Sequence, residues 1–143
     1  MNARSAPALG GVDHLHVFVA DRAAALRWYE AVLGLRPVAA LQHWAAGGGP
    51  LTIADANDRI HLALFERPAQ ANRSTIALAV AAADWLPWQR HLRSQGIDAR
   101  PEDHGEAWSM YFADPDGNPY ELTCYDVAVL RSGGGASHEA INH

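Results

Sequence analysis

The residues best suited to chemistry are one carboxylate beside a turn and a set of histidines. Glu121 follows Asp114-Pro115-Asp116-Gly117-Asn118-Pro119, which separates two runs rich in aromatic and other apolar residues. Pro115 presets φ, and Gly117 and Asn118 tolerate positive φ, so this segment reads as a turn between antiparallel strands. Period two then sends Tyr120 and Leu122 to one face and Glu121, Thr123 and Tyr125 to the other. A carboxylate so placed lies either on a solvated face or in a cavity where it has a role; for a glutamate taken alone the first is commoner. Eight histidines are many for 143 residues, and the question is which of them converge. His138 and His143 fall in the C-terminal tail, and His91 in a predicted helix. In residues 12–20, alternation puts His14, His16 and Phe18 on one face and Leu15, Val17 and Val19 on the other.

The elements that must position these groups follow from pattern. After the strand at 12–20, Asp21 is an N-cap and residues 22–33 carry apolar side chains at helical spacing, ended by Gly34. The spacing predicts strands at 36–45, 51–54 and 59–66, with turns at Gly47-Gly48-Gly49-Pro50 and Asn57-Asp58. The order then repeats. A strand is predicted at 74–81, a helix capped by Asp84 and running to about Gln95 with Gly96 at its end, and strands at 97–100, 108–113 and 119–125. This is an internal βαβββ repeat of about 60 residues, resting on element order. Residues 1–10 and 128–143 read as flexible ends, the latter containing Gly133-Gly134-Gly135.

Composition excludes several classes. The net charge is −5, and the eleven basic residues are all Arg, scattered without a cluster, which leaves no electrostatic footprint for nucleic acid. No apolar run of 18 residues predicts a membrane span, and the first nine residues lack the apolar stretch of a secretory signal. The single cysteine, Cys124, cannot form an internal disulfide and fits a reducing compartment, so a cytoplasmic location is expected. No Ser/His/Asp context stands out, and the glycine triplet lacks the Lys and helix cap of a phosphate-cradling loop.

Two βαβββ units, the opening Asp13-His14-Leu15, the helix segment ending Val32-Leu33-Gly34-Leu35, and Tyr111-Phe-Ala-Asp-Pro-Asp-Gly-Asn-Pro-Tyr-Glu121-Leu122 together resemble the vicinal oxygen chelate superfamily, also named glyoxalase/bleomycin resistance/dioxygenase. The resemblance spans 11–127, with halves at 11–66 and 74–127. It implies an α+β fold in which two βαβββ repeats form a cup-shaped, mixed eight-stranded sheet, and for a chain of two halves a homodimer. Metal-binding members place ligands in the cup from the first and last strand of each half. Those positions match His14, His61 and Glu121; the fourth, often His, falls on Thr75, a poor ligand.

Two imidazoles and a carboxylate suit a divalent ion with open positions, Fe, Mn, Ni or Zn. Such an ion would hold neighbouring oxygens of a small substrate, as in a ring-cleaving dioxygenase or a glyoxalase-like lyase or isomerase, the latter with Glu121 as base. His16, Phe18, Thr75, His104, Trp108 and Tyr111 are candidates for the substrate pocket. Trp44 is a further aromatic candidate for a substrate wall; core packing is the simpler role for it and for Phe18, Trp108 and Tyr111, and a loop or surface role for His43 and His104. A fosfomycin-type transferase is less expected without a cluster of cations. The rival class is a metal-free protein of the bleomycin-resistance type, which Thr75 favours.

Overall fold

The computed structural model describes residues 6–68 and 70–132. Its first unit runs β1 (Leu15–Val19), α1 (Arg22–Leu33), β2 (Arg36–Pro37), α2 (Gln42–Ala46), β3 (Leu51–Ala54) and β4 (His61–Glu66). The second runs β5 (Ile76–Ala79), α3 (Trp85–Ser94), β6 (Arg100–Asp103), β7 (Trp108–Ala113) and β8 (Pro119–Cys124), followed by α4 (Val127–Arg131). Each unit forms one four-stranded mixed sheet, in the orders β1-β4-β3-β2 and β5-β8-β7-β6. The two orders are equivalent, so the repeat in element order is also a repeat in topology. The eight expected strands are all present, four to a sheet.

In each unit the first strand pairs in parallel with the last, and the other pairs are antiparallel. Register decides which side chains lie abreast. Leu15 pairs with Leu62 and His16 with Ala63, so one step back sets His14 beside His61. In the second sheet Glu121 lies between Ala77 on β5 and Tyr111 on β7.

Alternation separates core from cup. Val17, Val19, Leu62 and Leu64 are buried in the same apolar cluster as Ala25, Tyr29 and Val32 of α1; Met110, Tyr120 and Leu122 belong to it with Trp85 and Leu92 of α3. Helix α1 forms where expected: the Asp21 carboxylate accepts from the Ala24 N–H at 2.9 Å, and Gly34 closes the helix at φ 68° with its N–H on the Glu30 carbonyl.

Several boundaries differ from expectation. The second strand is only Arg36–Pro37, because Ala39-Ala-Leu-Gln-His-Trp-Ala-Ala is rich in good helix formers and coils into a 3₁₀ turn and α2. His43 is therefore helical. Asp84 makes no side-chain cap bond; α3 is entered through a 3₁₀ turn at Ala82–Asp84. Strand β6 starts at Arg100, since the Ile97 N–H is used to close α3 on the Leu92 carbonyl. Strand β5 starts at Ile76, leaving Ser74 and Thr75 just before it. The tail expected to be flexible from 128 is corrected by α4: Leu130 is 2% exposed, and Arg131 donates to both Asp103 carboxylate oxygens at 2.9 and 3.0 Å. Residues 133–143 lie outside the described residues, as do 1–5; residues 6–10 are exposed and without regular structure. Among the described residues, no helix is long and apolar enough to cross a membrane.

Candidate metal centre

The first sheet presents a row of imidazoles. Asp13 Oδ2 lies 2.7 Å from His14 Nδ1, which places a proton on that nitrogen and leaves the lone pair on Nε2. That Nε2 lies 3.0 Å from Nε2 of His16, and the two rings stack at 5.0 Å. His14 and His61 line one cavity of about 170 Å³ with Asp13, Trp44, Thr52 and Ala63. His61 Nε2 is engaged 2.6 Å from Asp58 Oδ1, a carboxylate on the turn before β4. Further along the face, Phe65 lies 4.7 Å from His16 and edge-on to Phe18 at 6.0 Å. The Arg67 guanidinium covers both phenyl rings at 5.8 and 5.7 Å.

Trp44, weighed from the sequence both as a substrate wall and as a core aromatic, lines the cavity of His14 and His61. It is 47% exposed, on α2. Arg22 fixes that segment by donating to the Gly49 carbonyl at 2.6 Å and the Ala45 carbonyl at 3.4 Å. The signal for this placement was the alanine run before the glycine triplet, which favours helix over strand.

The second sheet presents the carboxylate. Ser109, fully buried, donates to Glu121 Oε1 at 2.6 Å and lies 3.3 Å from Thr123 Oγ1. Tyr111, abreast of Glu121, has its hydroxyl 2.9 Å from His104 Nε2. Burial raises the Tyr111 pKa; a hydrogen bond with Ser109 opposes the rise and the Glu121 charge adds to it. Arg100 lies 5.0 Å over the Tyr111 ring and is paired with Glu102.

The structure thus brings His14, His16 and His61 to one sheet face and puts Glu121, Tyr111 and His104 on the other sheet. Among the described residues, no three His, Cys, Asp or Glu side chains form a closed cluster within one chain. Thr75 is exposed before β5, and the residue abreast of Glu121 on that strand is Ala77. Trp108 requires a correction: it is 1% exposed with its ring 5.8 Å from Trp85, on the core face opposite Ser109 and Tyr111, and does not line the cup. The donors themselves fit a divalent ion, since two imidazoles, one with a carboxylate-held tautomer, and a hydroxyl-oriented carboxylate are its usual ligands and supports.

Residues 11–122 match the family described as Glyoxalase/Bleomycin resistance protein/Dioxygenase superfamily. The chain is 27% identical over 125 residues to glutathione transferase FosA of Serratia marcescens, covering 85% of each protein. Its fold superposes on the fosfomycin resistance protein FosX of Mesorhizobium loti with a TM-score of 0.61 and 25% identity, covering 82% of this chain and 93% of that one. It also superposes, at a TM-score of 0.63 and 15% identity, on FosX of Listeria monocytogenes complexed with Mn(II) and sulfate, covering 94% and 96%.

Proposed function

The chain belongs to the glyoxalase/bleomycin resistance protein/dioxygenase superfamily, the vicinal oxygen chelates, and on that premise we propose that it is a divalent-metal-dependent enzyme acting on a small oxygenated substrate. The observation that carries this reading is the pair of prepared ligands: His14 with Asp13 on Nδ1, and Glu121 with Ser109 on Oε1. They sit just before the first strand of one unit and on the last strand of the other, with His61 abreast of His14. Because they occupy different sheets, we infer a homodimer in which His14 and His61 of one copy face Glu121 of the second.

Bound there, the ion would supply Lewis-acid polarisation of a substrate oxygen. The remaining work falls to this chain's own groups. Asp13 holds the His14 tautomer, and Ser109 keeps one Glu121 oxygen directed, leaving the other as ligand or base. Tyr111, its hydroxyl paired with His104, is placed to give a proton to an oxygen that gains charge. Phe18, Phe65 and Trp44 supply apolar walls that exclude water. These are proton-handling groups, so the arrangement favours a glyoxalase-like isomerisation, lyase or addition step over ring cleavage with O₂.

A transferase acting on a phosphonate such as fosfomycin is the second reading. Likeness to the Serratia glutathione transferase and to the Mesorhizobium fosfomycin resistance protein favours it, and Arg67 is a cation on the imidazole-bearing face. The test is protein loaded with Mn(II), Fe(II), Ni(II) or Zn(II). A hemithioacetal should be converted with or without air. Turnover of fosfomycin with glutathione instead selects the second reading. Oxygen consumption with a catechol would select the dioxygenase. Absence of bound metal, with tight binding of a cationic or aromatic ligand, would hand the function to a metal-free binding protein.

A further inference from the structure

We propose that His16 is itself a metal ligand, supplying from β1 the imidazole that Thr75 does not supply from the second unit; this rests on the metal-dependent reading above. The argument begins with Asp13. Its carboxylate accepts from the Nδ1–H of His14, so the Nε2 lone pair of His14 is aimed at His16. The atom it meets, 3.0 Å away, is Nε2 of His16. Two ring nitrogens that close must have a proton or a cation between or beside them. Donors bound at roughly 2.0–2.1 Å to one ion lie roughly 3.0–3.4 Å apart, so this spacing already suits a shared ion.

His16 reaches this position because residues two apart on a strand share a face, and because the Phe65 ring supports its imidazole at 4.7 Å. His61 is less ready: its Nε2 is held by Asp58 and must leave that carboxylate, or ligate through Nδ1. The other side of the cup offers no replacement. Thr75 carries a hydroxyl, and Ala77 and Ala79 follow it along β5. The competing explanation is a plain hydrogen bond, with His16 Nε2–H donating to His14 and serving only to orient it.

The test measures affinity for Zn(II) by chelator competition, and the visible spectrum of the Co(II) form, on the full chain. His16→Ala should lower affinity by more than the ~10–100-fold typical of losing an outer-shell partner, and should change the Co(II) bands. His16→Gln retains a hydrogen-bond donor towards His14 and should lose affinity as well; wild-type affinity in that variant would make His16 an orienting residue and overturn the proposal. The double variant His16→Ala with Thr75→His should recover most of the lost affinity, and failure to do so would overturn the exchange of one position for the other. His43→Ala, an exposed histidine on α2, should bind as wild type. A wild-type chain that takes up no ion overturns the metal-dependent reading itself. A wild-type chain that loads metal while both His16 variants load equally well overturns this proposal alone.

Discussion

The Tyr29 hydroxyl donates a 2.6 Å hydrogen bond to the Asp114 carboxylate, 85 residues away, joining α1 of the first unit to the turn that leads into β8 of the second. Tyr29 in turn accepts from the Tyr120 hydroxyl at 2.8 Å. Asn118 completes the junction, donating from its side chain to Asp114 at 2.8 Å and to the Phe18 carbonyl at 3.1 Å. Glu121 is three residues from Asn118 and His16 two from Phe18. The relation between the two sheets of one chain is therefore set close in sequence to the proposed ligands.

Tyr29→Phe should cost about 1–3 kcal/mol, because Asp114 and Tyr120 remain buried with one partner fewer. The same pair gives a sign for alkaline unfolding. Burial, with the neighbouring tyrosine and Asp114, raises the Tyr29 pKa, and burial also raises that of Tyr120, above the ordinary value near 10. Their contribution is present in full below the unfolded-state value. As pH climbs from there towards the folded-state values, the unfolded chain loses protons first and stability falls, by about 1.4 kcal/mol per pH unit for each tyrosine. Urea titrations between pH 9 and 11 would measure it, and Tyr29→Phe should flatten the decline.

Much of this was legible in the sequence, for identifiable reasons. Residues 15–19 alternate cleanly, so the shared face of His14, His16 and Phe18 followed from period two alone. The turn from Asp114 to Pro119 announced itself through φ requirements, and β7 and β8 fell where expected. Residues 38–45 were expected to continue the strand from Arg36, but their alanines, Leu41 and Gln42 favour helix, and that propensity decided the outcome. That error put Trp44 on a strand instead of a helix. Trp108 was named as a pocket candidate beside its simpler core role; the alternation that puts Ser109 and Tyr111 with Glu121 sends it to the core. Helix α4 was missed because one turn around Leu130 carries too few residues to show a period.

Leu130→Ala should destabilise the chain by about 2–5 kcal/mol, the usual range for emptying a buried leucine site. Thermal unfolding would check this. A change below the uncertainty of the measurement would mean that α4 does not pack as described.

Ser109→Ala should lower metal affinity by about 10–100-fold while leaving the midpoint of unfolding nearly unchanged. The hydroxyl orients the Glu121 carboxylate, whereas the apolar contacts around β7 do not depend on it. Equal losses of affinity and stability would instead make Ser109 a packing residue.

Shared sites give the sharpest prediction. His14→Ala alone and Glu121→Ala alone should each abolish stoichiometric metal binding, and His61→Ala should weaken it. If each site takes His14 from one copy and Glu121 from the other, unfolding and refolding the two null variants together must restore binding. A mixed dimer then holds one site with both substitutions and one with neither. With random pairing half the dimers are mixed, so about a quarter of all sites return. Metal content after dialysis gives the number, and light scattering gives the mass of the species carrying it. No recovery in a dimeric mixture would place His14 and Glu121 in the same site of one chain. A monomeric wild type that nonetheless binds one ion would remove the shared arrangement altogether.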